Sequence, residues 1–151
     1  MRRRIRRLTR GEVKAALMYV DLDNFKQVND TRGHEVGDEV LVRVSEILRA
    51  NTRSTDMVAR LGGDEFAVWL DDADASVAAG RAEVFLAAAA VLRKFSGSAD
   101  KPLMLSIGIA VYSPTHGEDV NEFVSRADAA MYAIKRRGKG SYGIAPPAGP
   151  Q

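Results

Sequence analysis

Hydrophobic residues follow two different periodicities along this chain. Four short apolar runs are bounded by polar residues or glycines, as buried β-strands are. They are residues 14–21, 57–61, 66–70 and 103–112. Other segments have helical spacing of apolar residues or helical composition, and these predict α-helices. They are residues 24–31, 36–48, 74–95 and 120–134, and a short last strand is predicted for residues 142–144.

The predicted order of elements is β-α-α-β-β-α-β-α-β. Without the extra helix this is the split βαβ, or ferredoxin-like, plan. It predicts an α+β fold in which an antiparallel sheet carries helices packed on one face. Because this plan serves many functions, the fold alone does not identify one.

Composition indicates an ordinary globular domain. The 151 residues are 46% hydrophobic and 28% charged, and the chain has no cysteine, which excludes disulfides and thiolate metal sites. The longest uninterrupted apolar run, residues 84–92, is too short to span a bilayer. No apolar segment of a signal peptide follows the first residues. We therefore expect a cytoplasmic protein, or the cytoplasmic domain of a larger, membrane-bound one.

Positive charge is concentrated at the start of the chain. Six of the 22 Lys and Arg residues lie within residues 1–10, which contain no acid, whereas the rest of the chain is net negative. We interpret residues 1–10 as the end of an upstream linker or signalling helix. The alternative is a basic arm that binds nucleic acid, an anionic membrane or another partner. Residues 145–151 contain three prolines and are predicted to be a disordered tail.

Acidic residues stand at the ends of predicted strands. Asp21 and Asp23 follow the first strand, and Asp64 and Glu65 lie at the tip of the central hairpin. If the first strand pairs beside this hairpin, Asp21 and Asp64 meet at one edge. An all-oxygen site of this kind suits Mg²⁺, or Mn²⁺, together with substrate phosphates. The plainer alternative is that these acids are only solvated.

Two further features point to a phosphate-bearing ligand. Gly62 and Gly63 are predicted to occupy the centre of a type I′ turn, and without Cβ atoms they let a phosphate or ribose approach closely. Lys135 and Lys139 are four residues apart, so they are expected to project from one helix face towards a triphosphate. Taken singly, the glycines are equally explained by the turn itself.

The run Gly62–Phe66 spells the GGDEF signature, and its surroundings match the same family. The other matching blocks are residues 21–26, 29–30, 33–34, 37–38, 106–108, 127–128 and 131–135. Over residues 11–144 the chain therefore resembles the GGDEF domain family of diguanylate cyclases. The resemblance implies a fold similar to nucleotide cyclase and polymerase palm domains. It also implies a Mg²⁺- or Mn²⁺-dependent reaction of two GTP molecules, giving cyclic di-GMP and two pyrophosphates in a twofold homodimer.

The resemblance also assigns roles to individual residues. Asp21, the Leu22 carbonyl and Asp64 would bind the metal, and Asp64 and Glu65 would be the catalytic acids. Asn29 and Asp38 would bind the guanine edge, and Asp38 would favour GTP over ATP. The remaining substrate-binding residues would be His34, Phe25, Lys26, Gly62, Gly63, Lys135 and Lys139. Lys139 stands where the family more often has arginine.

A second binding site is implied by Arg53 and Asp56. They form an R-x-x-D pair that five residues separate from Gly62. At this spacing the family binds cyclic di-GMP as an inhibitor. Arginine suits this role because its guanidinium pairs with guanine O6 and N7. The alternative is a simple surface ion pair between residues i and i+3.

One segment that is usual in this family has no counterpart here. The family usually has a D-x-L-T-x-L-x-N-R segment before the first strand, and residues 6–10 resemble only the tail of the helix that follows that segment. We therefore expect an upstream sensor or regulatory domain that this chain does not contain.

Three other interpretations of the function stay open. The chain is alternatively a weak or silent GGDEF domain that senses GTP or cyclic di-GMP, an interaction domain that docks through its arginines, or a related nucleotide cyclase. We expect no nucleic-acid partner.

Overall fold

The computed structural model describes residues 14–112 and 118–148. In these ranges the strands are β1 (Ala15–Asp23), β2 (Met57–Gly62), β3 (Glu65–Asp71), β4 (Met104–Val111) and β5 (Tyr142–Ile144). They form one sheet in the order β2-β3-β1-β4-β5. The first four strands pair antiparallel, and β5 joins β4 in parallel. The predicted α+β, split βαβ plan is confirmed, with a sheet that is mixed at one edge.

Helices cover both faces of this sheet. They are α1 (Phe25–Arg32), α2 (His34–Ala50), α3 (Ala75–Ala88) and α4 (Val120–Arg137). The larger core lies between the sheet and α1, α2 and α3, and a second core lies between the sheet and α4. In the second core Phe123 of α4 meets Trp69 of β3 edge-to-face, with ring centroids 6.0 Å apart. The expectation of helices on one face only is therefore wrong.

The alternation of side chains along β1 explains on which face of the sheet its two predicted acids lie. Its pairing with β4 continues to Asp23, opposite Met104, so the strand ends two residues later than predicted. Even-numbered residues such as Leu22 belong to the larger core. Because alternate residues point to opposite faces, Asp21 and Asp23 lie on the face that α4 covers.

The central hairpin differs from the predicted turn by one residue. Gly62 pairs with Glu65, so the two turn residues are Gly63 and Asp64 rather than Gly62 and Gly63. Positive φ angles occur at Gly62 (148°) and Gly63 (49°) but not at Asp64, which excludes a type I′ turn. A register shift between Arg60 and Gly62 marks an irregularity just before the turn. The signature acid Asp64 is thus itself part of the turn.

The alanine-rich segment forms a helix in two parts. α3 ends at Ala88 and continues as a 3₁₀ helix, Ala89–Phe95. The predicted acids are not within its first turn, but Asp74 caps its start and accepts a hydrogen bond of 2.9 Å from the Val77 N–H. By length and mean hydropathy, 1.6, Ala75–Phe95 would suffice to cross a membrane. Eight alanines account for much of that value, and one side of the segment, including Phe85, packs in the larger core.

The start and end of the chain bear on the predicted domain boundaries. Residues 1–10, interpreted as an upstream helix, and residues 149–151 lie outside the described residues. Residues 145–148, predicted to be disordered, instead follow β5 onto the fold. Ala145 and Ala148 are buried, and the Ala145 N–H donates to the Ile109 carbonyl at 2.7 Å.

Candidate active site

The end of β1 and the tip of the β2–β3 hairpin meet at one edge of the sheet. Asp21 is the register partner of Glu65, and the Leu22 N–H donates to the Asp64 carbonyl at 3.2 Å. The four residues that sequence reasoning assigned to metal binding and catalysis are therefore neighbours. Antiparallel pairing explains this, because the end of β1 lies beside the start of β3.

Asp21 has the most perturbed ionisation in this group. Burial, together with the nearby carboxylates of Asp64 and Glu65, raises its pKa from 3.8 to about 6 against the lowering effect of Lys135. Its Oδ1 atom is buried and has no hydrogen-bond partner among the described residues. A buried carboxylate oxygen without a partner is costly unless a cation or a bound ligand satisfies it.

Lys135 reaches this edge from α4. Its ammonium lies 3.2 Å from Asp21 Oδ2 and 3.0 Å from Asp23 Oδ1, and it donates to the Leu22 carbonyl at 3.1 Å. Burial opposes the positive charge of Lys135, but Asp23 and Asp21 outweigh it and raise the pKa above its usual value. The side chain thus remains charged at neutral pH.

Asp23 is a structural centre to which the sequence analysis gave no specific role. It is fully buried, and the Ser106 hydroxyl donates to it at 2.7 Å. The Gly140 N–H donates to its other oxygen at 2.9 Å. These bonds join β1, β4 and the loop after α4. Two features of the sequence could have indicated this role: the Asp-x-Asp run that ends at Asp23, and the block around Ser106 that matches the family.

The donor set at this edge fits a divalent cation such as Mg²⁺. Asp21, the Leu22 carbonyl and Asp64 offer only oxygen atoms, as Mg²⁺ prefers. Contacts from one ammonium to both Asp21 and Leu22 demonstrate that these two oxygens converge on a cation. Within residues 14–112 and 118–148 no group of three or more His, Cys, Asp or Glu side chains forms a metal site by itself. The site therefore suits a metal that takes further ligands from substrate phosphates.

Lys139 does not share a helix face with Lys135, contrary to prediction. α4 ends at Arg137, and Lys139 comes two residues later with a φ angle of 70°. Its ammonium lies 3.2 Å from Asn24 Oδ1, and Asn24 in turn donates to the Pro102 carbonyl at 2.8 Å. Lys135 thus reaches the end of β1, whereas Lys139 reaches Asn24, which joins β1 to α1.

Four other predicted substrate-binding residues lie at the start of α1 and at the hairpin. Phe25, at the start of α1, is half-buried and packs against the larger core, whereas Lys26 is exposed. Gly62 and Gly63 are exposed at the hairpin. The Arg60 guanidinium donates to the Gly63 carbonyl at 2.8 Å and so holds the turn. Sequence reasoning missed Arg60, which stands two residues before the signature.

The predicted guanine-binding residues lie along α1 and α2. Asp38 is exposed and lines a cavity of about 380 Å³ between α2 and the β2–β3 hairpin. The other lining residues are Leu41, Val42, Ser45, Arg49, Val58, Arg60 and Phe66. Asn29 and His34 are not among them, so the structure does not bring all three predicted residues to one cavity.

Gly37 explains how Asn29 is held. A Cβ atom at Gly37 would collide with the Asn29 side-chain oxygen and lie 3.4 Å from the Phe25 ring. A larger residue at position 37 would therefore force the Asn29 side chain out of this position. Gly37, which lies in a block that matches the family, thus leaves space for the side chain of Asn29, a predicted substrate-binding residue. The position of Gly37 in the sequence does not reveal this role.

Arg53 and Asp56 form a fixed turn before β2. The Arg53 N–H donates to Asp56 Oδ2 at 2.8 Å, and the Asp71 N–H donates to Asp56 Oδ1 at 3.1 Å. The Arg53 guanidinium also contacts the Asp71 carbonyl. The Asp56 side chain is only 1% exposed, against 48% for Arg53, so one partner is anchored and the other is available to a ligand.

The turn borders a second cavity, which lies at the far end of the hairpin from Asp64. This cavity has about 340 Å³, and Arg49 lines both it and the Asp38 cavity. Asp71 and Glu65 are the two ends of β3, so the turn lies about 20 Å from the metal-binding edge at roughly 3.3 Å per residue.

Comparison with known proteins identifies the class of domain that this fold and site define. A model of the diguanylate cyclase GGDEF domain matches residues 1–141. The chain belongs to the GGDEF domain family.

Individual relatives agree with this assignment. The chain is 39% identical over 138 residues to the bifunctional diguanylate cyclase/cyclic di-GMP phosphodiesterase MucR of Pseudomonas aeruginosa, covering 91% of this chain and 20% of MucR. It is 38% identical to the diguanylate cyclase TpbB of the same species, covering 95% of this chain and 33% of TpbB. The chain thus spans about a fifth to a third of the length of these larger relatives.

Among solved structures, the GGDEF domain of DgcB from Caulobacter crescentus, in complex with cyclic di-GMP, is similar. It has a TM-score of 0.81 and 31% sequence identity, and the match covers 95% of this chain and 83% of that one. The likeness extends over nearly the whole chain, so the expected palm-like cyclase fold is confirmed.

Proposed function

We propose that this domain is a diguanylate cyclase, which joins two GTP molecules into cyclic di-GMP and releases two pyrophosphates. The observation that carries the proposal is the convergence of Asp21, the Leu22 carbonyl and Asp64, with one Asp21 oxygen buried and without a partner among the described residues. That is the oxygen set a Mg²⁺- or Mn²⁺-dependent nucleotidyl transfer requires. The relatives named diguanylate cyclase support the same reaction.

The residues at the metal-binding edge would have different roles in the nucleotidyl transfer. Asp21, Leu22 and Asp64 would hold the metal, which when bound polarises the phosphate and stabilises developing negative charge. Asp64, assisted by Glu65, would accept the proton of the attacking ribose 3′-hydroxyl. The new bond forms between that oxygen and the α-phosphorus of the second GTP, and the bond to pyrophosphate breaks.

Basic residues around the β1–α1 segment would hold the triphosphate. Lys135 and Lys139 approach this segment from the end of α4, and Lys26 lies on the first turn of α1. Lysine provides a point charge rather than the planar fork of arginine, so contact with Lys139 depends on charge more than on orientation.

Guanine would bind near α2. The cavity beside Asp38 has a carboxylate at its entrance and the buried Phe66 at its wall. A carboxylate accepts from the ring N–H and the exocyclic amine of guanine, a pair of donors that adenine lacks. Asn29 of α1 and His34 at the start of α2 would complete the site from positions outside this cavity.

Two copies of the domain are needed, because one site holds one GTP and the product contains two. The proposed active form is therefore a twofold homodimer, brought together by an upstream sensor or regulatory domain in the cytoplasm. The product would bind at Arg53 and Asp56 and inhibit the enzyme. The exposed guanidinium of Arg53, which the buried Asp56 holds at the border of a cavity, supports a ligand site over a solvated ion pair.

Replacing Asp64 tests the proposal. We expect Asp64→Ala to lower the rate of cyclic di-GMP formation at least about a hundredfold, since it removes a metal ligand and the base. Glu46→Ala removes an exposed acid of α2 and is the matched control, with the wild-type rate. Equal rates for Asp64→Ala and wild type would contradict the assigned site. GTP binding without turnover in the wild type would favour the alternative of a silent sensing domain.

A further inference from the structure

Lys135 shares two ligands with the proposed metal site. Its ammonium contacts Asp21 Oδ2 at 3.2 Å and the Leu22 carbonyl at 3.1 Å. The geometry points to Lys135 as an internal cation that competes with the divalent ion for these oxygens and transfers to the triphosphate when the ion binds. This inference rests on the proposed function, because it takes Asp21 and Leu22 to be metal ligands.

The two cations repel each other at this edge. Lys135 holds Asp21 Oδ2 and the Leu22 carbonyl, whereas the buried Asp21 Oδ1 atom has no partner among the described residues. A divalent ion held by Asp21 Oδ1 and the Leu22 carbonyl would lie within roughly 5 Å of the ammonium, and at that distance their repulsion in a partly buried site is strong. Binding of the divalent ion therefore displaces Lys135 from Asp21 and the Leu22 carbonyl.

Asp23 provides the anchor for such a movement. The Lys135 ammonium also lies 3.0 Å from Asp23 Oδ1, and Asp23 is fully buried. Ser106 and the Gly140 N–H fix the Asp23 carboxylate. Lys135 can thus keep one anionic partner while it exchanges the others for phosphate oxygens.

This arrangement couples metal binding to nucleotide binding. Without nucleotide, the divalent ion must displace Lys135, which has no phosphate to move to, so the affinity is low. With nucleotide, the displaced ammonium binds the triphosphate, and the free-energy cost of displacing it disappears. Lys135 would thereby favour loading of the metal together with GTP over loading of the metal alone.

The test is Mn²⁺ affinity of the nucleotide-free protein, measured by electron paramagnetic resonance at about pH 8, where Asp21 is ionised. We expect Lys135→Met to bind Mn²⁺ about tenfold more tightly than wild type. A non-hydrolysable GTP analogue should then increase Mn²⁺ affinity less than it does in wild type. Lys101→Met is the matched control, because Lys101 is exposed and has no part in the proposed site, and its nucleotide-free affinity should equal that of wild type.

Unchanged or weaker Mn²⁺ binding by folded Lys135→Met would overturn the inference, and Lys135→Gln provides the same comparison if the methionine variant does not fold. Asp21→Asn separates this outcome from failure of the proposed function. Loss of Mn²⁺ binding in Asp21→Asn with no gain in Lys135→Met would refute only the competition. Equal Mn²⁺ binding by Asp21→Asn and wild type would refute the metal site itself and the inference with it.

Discussion

At the scale of single residues, the candidate site depends on the charge balance around Asp21. Burial and the carboxylates of Asp64 and Glu65 raise its pKa to about 6, against the lowering effect of Lys135. Because this pKa lies above the ordinary 3.8, the folded protein binds the proton more tightly than the unfolded chain does. The contribution of Asp21 to stability is therefore greatest below its unfolded-state pKa and is lost as the pH rises through about 6.

A divalent cation reverses this dependence, because it binds only the ionised carboxylate. We expect Mn²⁺, at a concentration near its Kd, to raise the melting temperature little below a pH of about 5, increasingly as the pH approaches about 6, and by a constant amount at higher pH. Thermal unfolding across this range, with and without Mn²⁺, measures the effect. Asp21→Asn should remove the pH-dependent gain. A gain that instead rises near a pH of about 4, the range of an ordinary carboxyl group, would contradict the raised pKa.

Sequence reasoning found the acids of the site but not their support. Asp21 and Asp64 could be predicted to meet because both stand at strand ends. Asp23 could not be predicted to be the buried centre, since its partner Ser106 is 83 residues away and its bond to Gly140 depends on the loop after α4. A fully buried Asp is rare unless it is paired, and the pairing exists only in the folded chain.

At the scale of elements, the approach of α4 to the sheet positions Lys135. Gly108 of β4 makes this approach possible, because a Cβ atom there would collide with the backbone of Met131 and Ala127. Backbone atoms cannot rotate away as a flexible side chain can. The helix therefore lies directly on the strand, and its last turns reach the end of β1.

Gly108→Ala should destabilise the domain by about 3 kcal/mol, as overpacking against a fixed backbone does. Gly80→Ala is the matched control. Gly80 lies within α3, and a Cβ atom there meets nothing within 4 Å. Alanine should stabilise that helix by roughly 0.5–1 kcal/mol. Urea unfolding measures both, and a Gly108→Ala variant as stable as Gly80→Ala would contradict the close packing.

The order and type of elements could be predicted from periodicity, whereas their arrangement could be predicted only in part. The run at residues 14–21 is apolar at almost every position, which is typical of a strand covered on both faces. The observed cover by α4 agrees with that pattern, although the split βαβ plan led us to expect one covered face. The turn at Gly63 and Asp64 depended on a register shift that residue types do not reveal.

At the scale of the whole molecule, the proposed inhibitory site and the proposed catalytic edge lie at opposite ends of one hairpin. Arg53 contacts Asp71 at the end of β3, about 20 Å from Asp64. Product bound at Arg53 would not block the catalytic edge of the same copy directly. Inhibition would therefore act by holding two copies apart from the arrangement that the reaction needs.

We expect Arg53→Ala to raise the cyclic di-GMP concentration for half-maximal inhibition about tenfold to a hundredfold, because it removes charged hydrogen bonds to the product. Arg43→Ala is the matched control, since Arg43 is an arginine of α2 paired with Glu39 on the surface. The measurement is the rate of cyclic di-GMP formation at increasing added product. Equal inhibition of Arg53→Ala and Arg43→Ala would exclude Arg53 from the inhibitory site.

The central claim is that two copies of this domain convert two GTP into one cyclic di-GMP. The most direct test fuses a dimerising coiled coil to residue 1, supplies GTP and Mg²⁺, and identifies the products by mass spectrometry with pyrophosphate counted in parallel. We predict cyclic di-GMP with two pyrophosphates per molecule, formed faster per copy than by the unfused chain at low concentration. Absence of cyclic di-GMP from the folded, dimeric fusion protein would contradict the claim.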